Sequence, residues 1–300
     1  MNIDLHIAGY RVRMTEAQDC PAFSWPLHPF GAFLDRSDHL PDIDLSITIV
    51  TKLPNLSHGP LHFDACHGLW RLYTTDAGWF LESLGTKTHR PCALALITQD
   101  FSHVDVWTHG EAMNSVQGWV PMKIINPLVE VCLLTRLARE GGLLLHSAGI
   151  LSPPGGYIFT GASGAGKSTL SGFFAERGAA VLSDERMIIR KSGRDFVLHG
   201  TPWVGSGAYA KNESGLLTEL FCIKQGPQHR IENLSAGAVL AHILPQCFLP
   251  HWDRTAMEAT MGFLSDLIAQ VPCRQLAFAQ HQDVVDYVQN HVTKTALVGS

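Results

Sequence analysis

The first 120 or so residues carry apolar and polar side chains in alternation. Ile3-Asp-Leu-His-Ile7, Tyr10-Arg-Val-Arg-Met14 and Asp42-Ile-Asp-Leu-Ser-Ile-Thr-Ile-Val50 each place every second side chain on one face, the pattern of a half-buried strand. Trp79-Phe-Leu-Glu82 and Cys92-Ala-Leu-Ala-Leu-Ile97 read the same way, with Gly, Pro, Asn and Asp between the runs. This predicts a smaller β-rich domain over 1–120. From Asn126 the period changes: Leu128, Val131, Cys132, Leu134 and Leu137 mark one helical face that ends at Gly141-Gly142. That helix marks the boundary to a second domain over 121–300.

The second domain opens with two apolar runs, LLLHSAGIL and YIFTG, joined by SPPGG, which predicts a hairpin of buried strands. Pairing Leu151 with Tyr157 sets His146 opposite Ala162. A helix is expected over 168–178, then a strand at Ala180-Val-Leu-Ser183 that closes on Asp184-Glu185. Beyond these come a hairpin (187–191 and 196–200), a loop TPWVGSG, and a strand over 220–224. Helices are expected from Ser235 and Arg254, a strand over 274–278, and a last helix from Gln282. The fold class is therefore α/β.

Between the hairpin and the first helix lies GASGAGKST: Gly161, Ala162, Ser163, Gly164, Ala165, Gly166, Lys167, Ser168 and Thr169. It meets the phosphate-loop pattern G-x-x-x-x-G-K-[ST] in the required context of strand before and helix after. Glycines let successive backbone N–H groups turn inward around an anion, and the helix adds its free amides and the positive end of its dipole. Lys167 would reach the β- and γ-phosphates, and the Ser168 hydroxyl would be a ligand to Mg²⁺. ATP and Mg²⁺ are the cofactors this grammar implies. Asp184 and Glu185, at the end of the next strand, are the carboxylates a nucleotide-bound Mg²⁺ needs.

The 300 residues are 46% hydrophobic, enough for a sizeable core, and 22 Lys and Arg against 27 Asp and Glu leave a net charge of −5. That balance, without a basic run, argues against nucleic acid and membrane surfaces, so the phosphate is a nucleotide's. Seven scattered cysteines lack C-x-x-C spacing, and no segment reaches the ~18 apolar residues of a span, which predicts a cytoplasmic protein with reduced thiols. Sixteen histidines are many. The stretch holding His58, His62, Asp64, Cys66 and His67 matches no metal-ligand spacing, and Pro60 marks it as a surface loop.

Taken together, LLLHSAGIL, GASGAGKST and VLSDE resemble the catalytic domain of HPr serine kinase/phosphorylase, whose fold is similar to that of phosphoenolpyruvate carboxykinase. The resemblance covers about Leu143 to Arg190 closely and the rest of the C-terminal half loosely. It matches the family's strand histidine to His146 and its acidic pair to Asp184 and Glu185, the first of which acts on the attacking hydroxyl. The family's Glu-Ile-Arg-Gly-Leu-Gly stretch is absent: the comparable place reads Val197-Leu-His-Gly-Thr-Pro-Trp-Val-Gly205, and Glu185 stands where the family has aspartate. The chain thus resembles the stand-alone HPr-kinase-related proteins. That implies an acceptor protein, peptide or small hydroxyl compound as partner, and a homo-oligomer.

A serine-type hydroxyl needs a carboxylate to take its proton, a role for Asp184, which as an alternative is a metal ligand only. Glu185 is a second ligand. His146 either orients Asp184, donates to a phosphate oxygen, or is a core histidine. Lys211, Lys224 and Arg230 are candidate cations for the γ-phosphate or the acceptor. The loop Gly200–Gly207 is either an acceptor lid presenting Trp203 or a plain turn with Trp203 buried; the lid is favoured. The function expected is an ATP- and Mg²⁺-dependent kinase of a serine-type hydroxyl, with a nucleotide-dependent switch or ATPase as the alternative. Carboxykinase-like decarboxylation ranks last, for want of arginines near the loop.

Overall fold

The computed structural model describes residues 2–16, 29–65, 69–85, 88–109, 113–114, 118–119 and 125–298. Cys20, Cys66, His67 and the expected boundary at 120/121 lie outside them. By its contacts the chain divides into two units, Met1–Arg136 with Pro250–Met257 and Leu137–Leu249 with Glu258–Ser300. The division falls inside helix α1 (Glu130–Arg139).

The first unit is built on an eight-stranded sheet. Its strands are β1 (Asn2–Ile7), β2 (Tyr10–Glu16), β3 (Ile43–Val50), β4 (Leu61–Asp64), β5 (Trp70–Thr75), β6 (Gly78–Leu84), β7 (Pro91–Thr98) and β8 (His103–His109), in the order β1-β2-β3-β8-β7-β6-β5-β4. The β2–β3 and β3–β8 pairs are parallel and the others antiparallel. Alternation buries Leu45, Ile47, Val104, Val106, Ala95 and Leu81 on one face, as the sequence pattern requires. The stretch read as a surface loop is corrected in part, because Leu61–Asp64 is an edge strand on β5. There His62 Nε2 lies 2.8 Å from the Trp252 carbonyl, and Trp252 Nε1 donates to Thr135 Oγ1 at 2.9 Å. A two-stranded ribbon, β9 (Met113–Asn114) and β10 (Gly118–Trp119), follows the sheet in the chain.

The second unit is a mixed α/β structure on a nine-stranded sheet. Its strands are β11 (Gly142–Ser152), β12 (Gly155–Thr160), β13 (Ala180–Ser183), β14 (Arg186–Ser192), β15 (Asp195–His199), β16 (Ser214–Gln225), β17 (Arg230–Asn233), β18 (Cys247–Phe248) and β19 (Cys273–Phe278). The order is β12-β11-β14-β15-β16-β19-β17, with β13 and β18 on β11. A further parallel pairing of β12 with β16 closes β12, β11, β14, β15 and β16 into a ring. Four helices follow from the sequence: α2 (Lys167–Glu176), α3 (Ala236–Ile243, capped by Ser235), α4 (Arg254–Gln270, whose residues up to Met257 fall in the first unit) and α5 (Val284–Val298).

Strand alternation sends apolar side chains to two cores. Ile158, Leu220 and Cys222 pack with Val239, Leu264 and Leu267 of α3 and α4. Tyr157, Phe159 and Phe221 pack with Leu170 and Phe174 of α2 and Val285 and Val288 of α5. Burying a Phe or Leu in such a core is worth about 1.5–3 kcal/mol. The five described cysteines are unpaired, and burial pushes the thiols of Cys132, Cys222, Cys247 and Cys273 up to about 12. Among the described residues no helix is long and apolar enough to cross a membrane.

One charged group breaks the apolar pattern of the second core. Glu219 of β16 is only 2% exposed, and its Oε1 accepts from Arg274 Nε at 2.5 Å and lies 3.3 Å from His291 Nε2. Burial holds its carboxyl above the ordinary range while Arg274 and His291 pull it back. A carboxyl whose value is raised on folding adds stability at low pH, which is lost as pH rises through the folded value. Arg274→Met should therefore destabilise the protein by about 3 kcal/mol at pH 7. In urea unfolding at pH 7 and at a lower pH, the gap to the wild type should narrow as pH falls and Glu219 takes up a proton. An equal gap at both pH values would contradict this.

Candidate active site

The glycine-rich loop over 161–169 begins where β12 ends. Gly164 and Gly166 have φ of +79° and +104°, backbone that a Cβ disfavours, and Gly166 is the N-cap of α2. Lys167 follows at the first helical position and is 8% exposed. Its Nζ donates to the Gly161 carbonyl at 2.8 Å and sits 3.5 Å from that of Ala162. Burial lowers the affinity of Lys167 for its proton, and the Glu185 carboxylate opposes that.

The acidic pair is fixed from two sides. Asp184 is 1% exposed; its Oδ1 accepts from the Gly205 N–H at 3.0 Å and its Oδ2 from the Gly207 N–H at 2.7 Å. Both approaches need glycine, since a Cβ on either residue would stand within 3.0 Å of the carboxylate. The Glu185 backbone is held at both ends: its N–H donates to Ser183 Oγ at 3.2 Å, and its carbonyl accepts from the Ser147 N–H at 3.1 Å. Its side chain is left to face the cleft, where Oε1 lies 3.4 Å from His146 Nδ1. Burial and the nearby Lys167 charge lower the His146 value from its usual position, against the pull of Glu185.

These residues converge. His146, Lys167, Ser168, Asp184 and Glu185 line one cleft of about 400 Å³, with Ser163, Gly164, Gly166 and Thr169 of the loop. Gly161, Ala162 and Ala165 shape the loop without lining that cleft. The hairpin register differs by one residue from expectation. Ile150 pairs with Tyr157 and Ser152 with Gly155, so Pro153-Pro154 alone forms the connection. His146 reaches the cleft through its other neighbour, pairing with Arg186 of β14 beside Glu185.

Two expectations are corrected. Trp203 is buried at 5% exposure, where its carbonyl accepts from Ser183 Oγ at 3.0 Å and its ring lies 5.7 Å from the Arg186 guanidinium. The loop therefore presents its Gly205-Ser206-Gly207 tip, and Ser206 lines the cleft in place of the aromatic. Lys211 and Arg230 are exposed and pair with Glu213 at 4.0 Å and Glu232 at 2.7 Å, and neither they nor the exposed Lys224 line the cleft. Gln225 is a cleft residue that the sequence did not single out. It sits at the end of β16, and its Nε2 donates to the Gly164 carbonyl at 2.8 Å.

The oxygen set fits a hard divalent ion. The Ser168 hydroxyl and the Asp184 and Glu185 carboxylates share the cleft, and each Asp184 oxygen keeps a lone pair beyond its amide bond. Among the described residues no three His, Cys, Asp or Glu side chains form a metal cage on their own. This suits an ion held by few protein ligands together with phosphate oxygens.

No protein-family model and no curated protein sequence matches this chain. Among solved structures it is similar to the Hpr(Ser) kinase/phosphatase from Coxiella burnetii, at 13% identity and a TM-score of 0.31, over 51% of this chain and 98% of that one. A likeness of that extent says nothing about activity.

The fit of Gly207 to Asp184 can be measured. A Cβ there would lie 2.8 Å from Asp184 Oδ2 and 2.5 Å from the Tyr209 ring, so Gly207→Ala should cost about 1–3 kcal/mol of stability. Gly172 in the middle of α2 has open space around its Cα, and Gly172→Ala should stabilise by about 0.5–1 kcal/mol. Thermal unfolding of the two variants checks both signs.

Proposed function

We propose that this protein is an ATP- and Mg²⁺-dependent phosphotransferase that moves the γ-phosphate to a serine-type hydroxyl of a protein, peptide or small molecule. The observation that carries the proposal is Asp184: a buried carboxylate, locked by two glycine amides, that faces the same cleft as Lys167 and the glycine loop. A carboxylate beside a phosphate site serves a switch as a metal ligand only, whereas transfer to a hydroxyl also needs a base, a role that Asp184, fixed by its two amide hydrogen bonds, can fill.

Phosphoryl transfer asks for position and charge more than covalent chemistry. Lys167 and the loop amides would hold the β- and γ-phosphates. Ser168, Glu185 and Asp184 would hold Mg²⁺, which when bound neutralises charge on the phosphate oxygens. Asp184 takes the proton of the acceptor hydroxyl as its oxygen bonds to the γ-phosphorus and the bond to ADP breaks. The Gly205 and Gly207 amides keep that carboxylate in one orientation throughout, and the preorganised donors need no rearrangement. His146, beside Glu185, orients that carboxylate or donates to a phosphate oxygen. In this reading the protein works in the cytoplasm.

Incubation with Mg²⁺ and ATP labelled at the γ-position, alone and with cell extract, tests the proposal. The label should enter a peptide, protein or small hydroxyl compound. Asp184→Asn should reduce that transfer by about 10²–10⁴-fold, the usual contribution of a general base. Label released only as free phosphate, or retained on ATP, would overturn the kinase reading and leave a nucleotide-dependent switch.

A further inference from the structure

The wall behind the phosphate loop is built from the ends of β16 and β19. Their parallel register sets Gln225 beside Phe278, and the Gly226 N–H donates to the Phe278 carbonyl at 2.9 Å, locking the two ends together. This wall meets each of the three loop glycines. The Ile223 carbonyl lies 2.9 Å from the place of a Cβ on Gly161, and the Phe278 ring lies 2.7 Å from that of Gly166. At the middle glycine the contact is polar: Gln225 Nε2 donates to the Gly164 carbonyl at 2.8 Å.

That polar contact bears on how the loop presents itself to an anion. A phosphate is attracted by N–H groups and repelled by carbonyl oxygens. Gly164, at φ +79°, stands where the loop reverses, and both it and Gln225 line the cleft. An amide donor on the Gly164 oxygen engages its lone pair and fixes the orientation of the 164–165 peptide. We propose that Gln225 is a positioning residue for the nucleotide phosphates: it acts through the Gly164 carbonyl to hold the loop in its anion-accepting shape. The proposal rests on the reading of this cleft as a nucleotide-phosphate site, and Gln225 is assigned no contact with the reacting atoms.

The test is the dissociation constant of ATP with Mg²⁺, measured by titration calorimetry on the full chain, with the thermal midpoint of each variant recorded beside it. Gln225→Ala removes one neutral hydrogen bond and should weaken ATP binding about fivefold. Gln225→Glu replaces the donor with an acceptor of the same sign as the ligand and should weaken it at least tenfold further. Gln225→Lys keeps a donor within reach of the carbonyl and should bind within about twofold of the wild type. All three should unfold within a few degrees of the wild type, because the side chain is exposed. A merely structural role would move the midpoints, and a plain charge effect of lysine on ATP would fade at high salt, where the separation of lysine from alanine should persist if the carbonyl is held. Equal affinity in the wild type, alanine and glutamate proteins would overturn the positioning role while leaving the nucleotide site intact. A wild type that binds no ATP would overturn the site and the positioning role together.

Discussion

The parallel pairing of β12 with β16 is the constraint on which the cleft depends. An antiparallel hairpin alone, β11 with β12, would leave the glycine loop at an open sheet edge with its back to solvent. Registering Thr160 against Cys222 instead brings the last turn of β16 behind the loop, and the parallel β16–β19 pair extends that wall to Phe278. Three strands that run the same way end at one edge, the place where α/β sheets gather their ligands. The loop's glycines are then set by what stands behind them, the Ile223 carbonyl at Gly161 and the Phe278 ring at Gly166.

A second restraint comes from the opposite side, through the segment after β15. The Lys211 N–H donates to the Leu182 carbonyl at 3.0 Å, and Ser183 bridges to Ala210, so the returning chain lies along β13. That path leaves the Gly205 and Gly207 amides pointing at the carboxylate of the residue that follows the strand. Buried Trp203 anchors the path through the Ser183 hydroxyl, which at the same time accepts from the Glu185 and Arg186 amides. One serine hydroxyl thus ties the loop to the acidic pair.

What the sequence made legible was what is local in it. The loop, the helix behind it and the acidic pair fall within Gly161–Glu185, and glycine spacing encodes them directly. The Leu143–Leu151 and Tyr157–Thr160 strands were legible because both faces are buried and read as continuous apolar runs. The one-residue slip of the hairpin was not, because nothing in SPPGG says that two residues suffice to turn the chain. Strand β5 is weakly marked, since only Leu72 of its side chains is buried, whereas β8 carries the same alternation as the legible strands, with His103 and Asp105 toward water and Val104 and Val106 buried. Gln225 carries no local signal at all, since its role arises from a pairing with strands more than 50 residues away in either direction. The misjudged cations fail similarly: a lysine or arginine has the same sequence signature in a cleft as in a surface pair, and Lys211 and Arg230 have carboxylates two residues away to pair with.

Within the cleft the charges are not independent. Burial pushes both Lys167 and His146 toward their neutral forms, Lys167 further depresses His146, and Glu185 is the carboxylate that opposes the shift at each. Glu185 is thereby the counter-ion shared by two bases, and its backbone is pinned between Ser183 and Ser147 so that it stays in that position. In the proposed reading a divalent ion draws on the same carboxylate. Each unit of negative charge that Glu185 gives to the ion is withdrawn from its support of the imidazole and the ammonium. The phosphates that arrive with the ion restore that support to Lys167, which lies at the loop, and His146 feels the exchange through Glu185. In that reading the protonation of His146 and the filling of the cleft are coupled through one side chain.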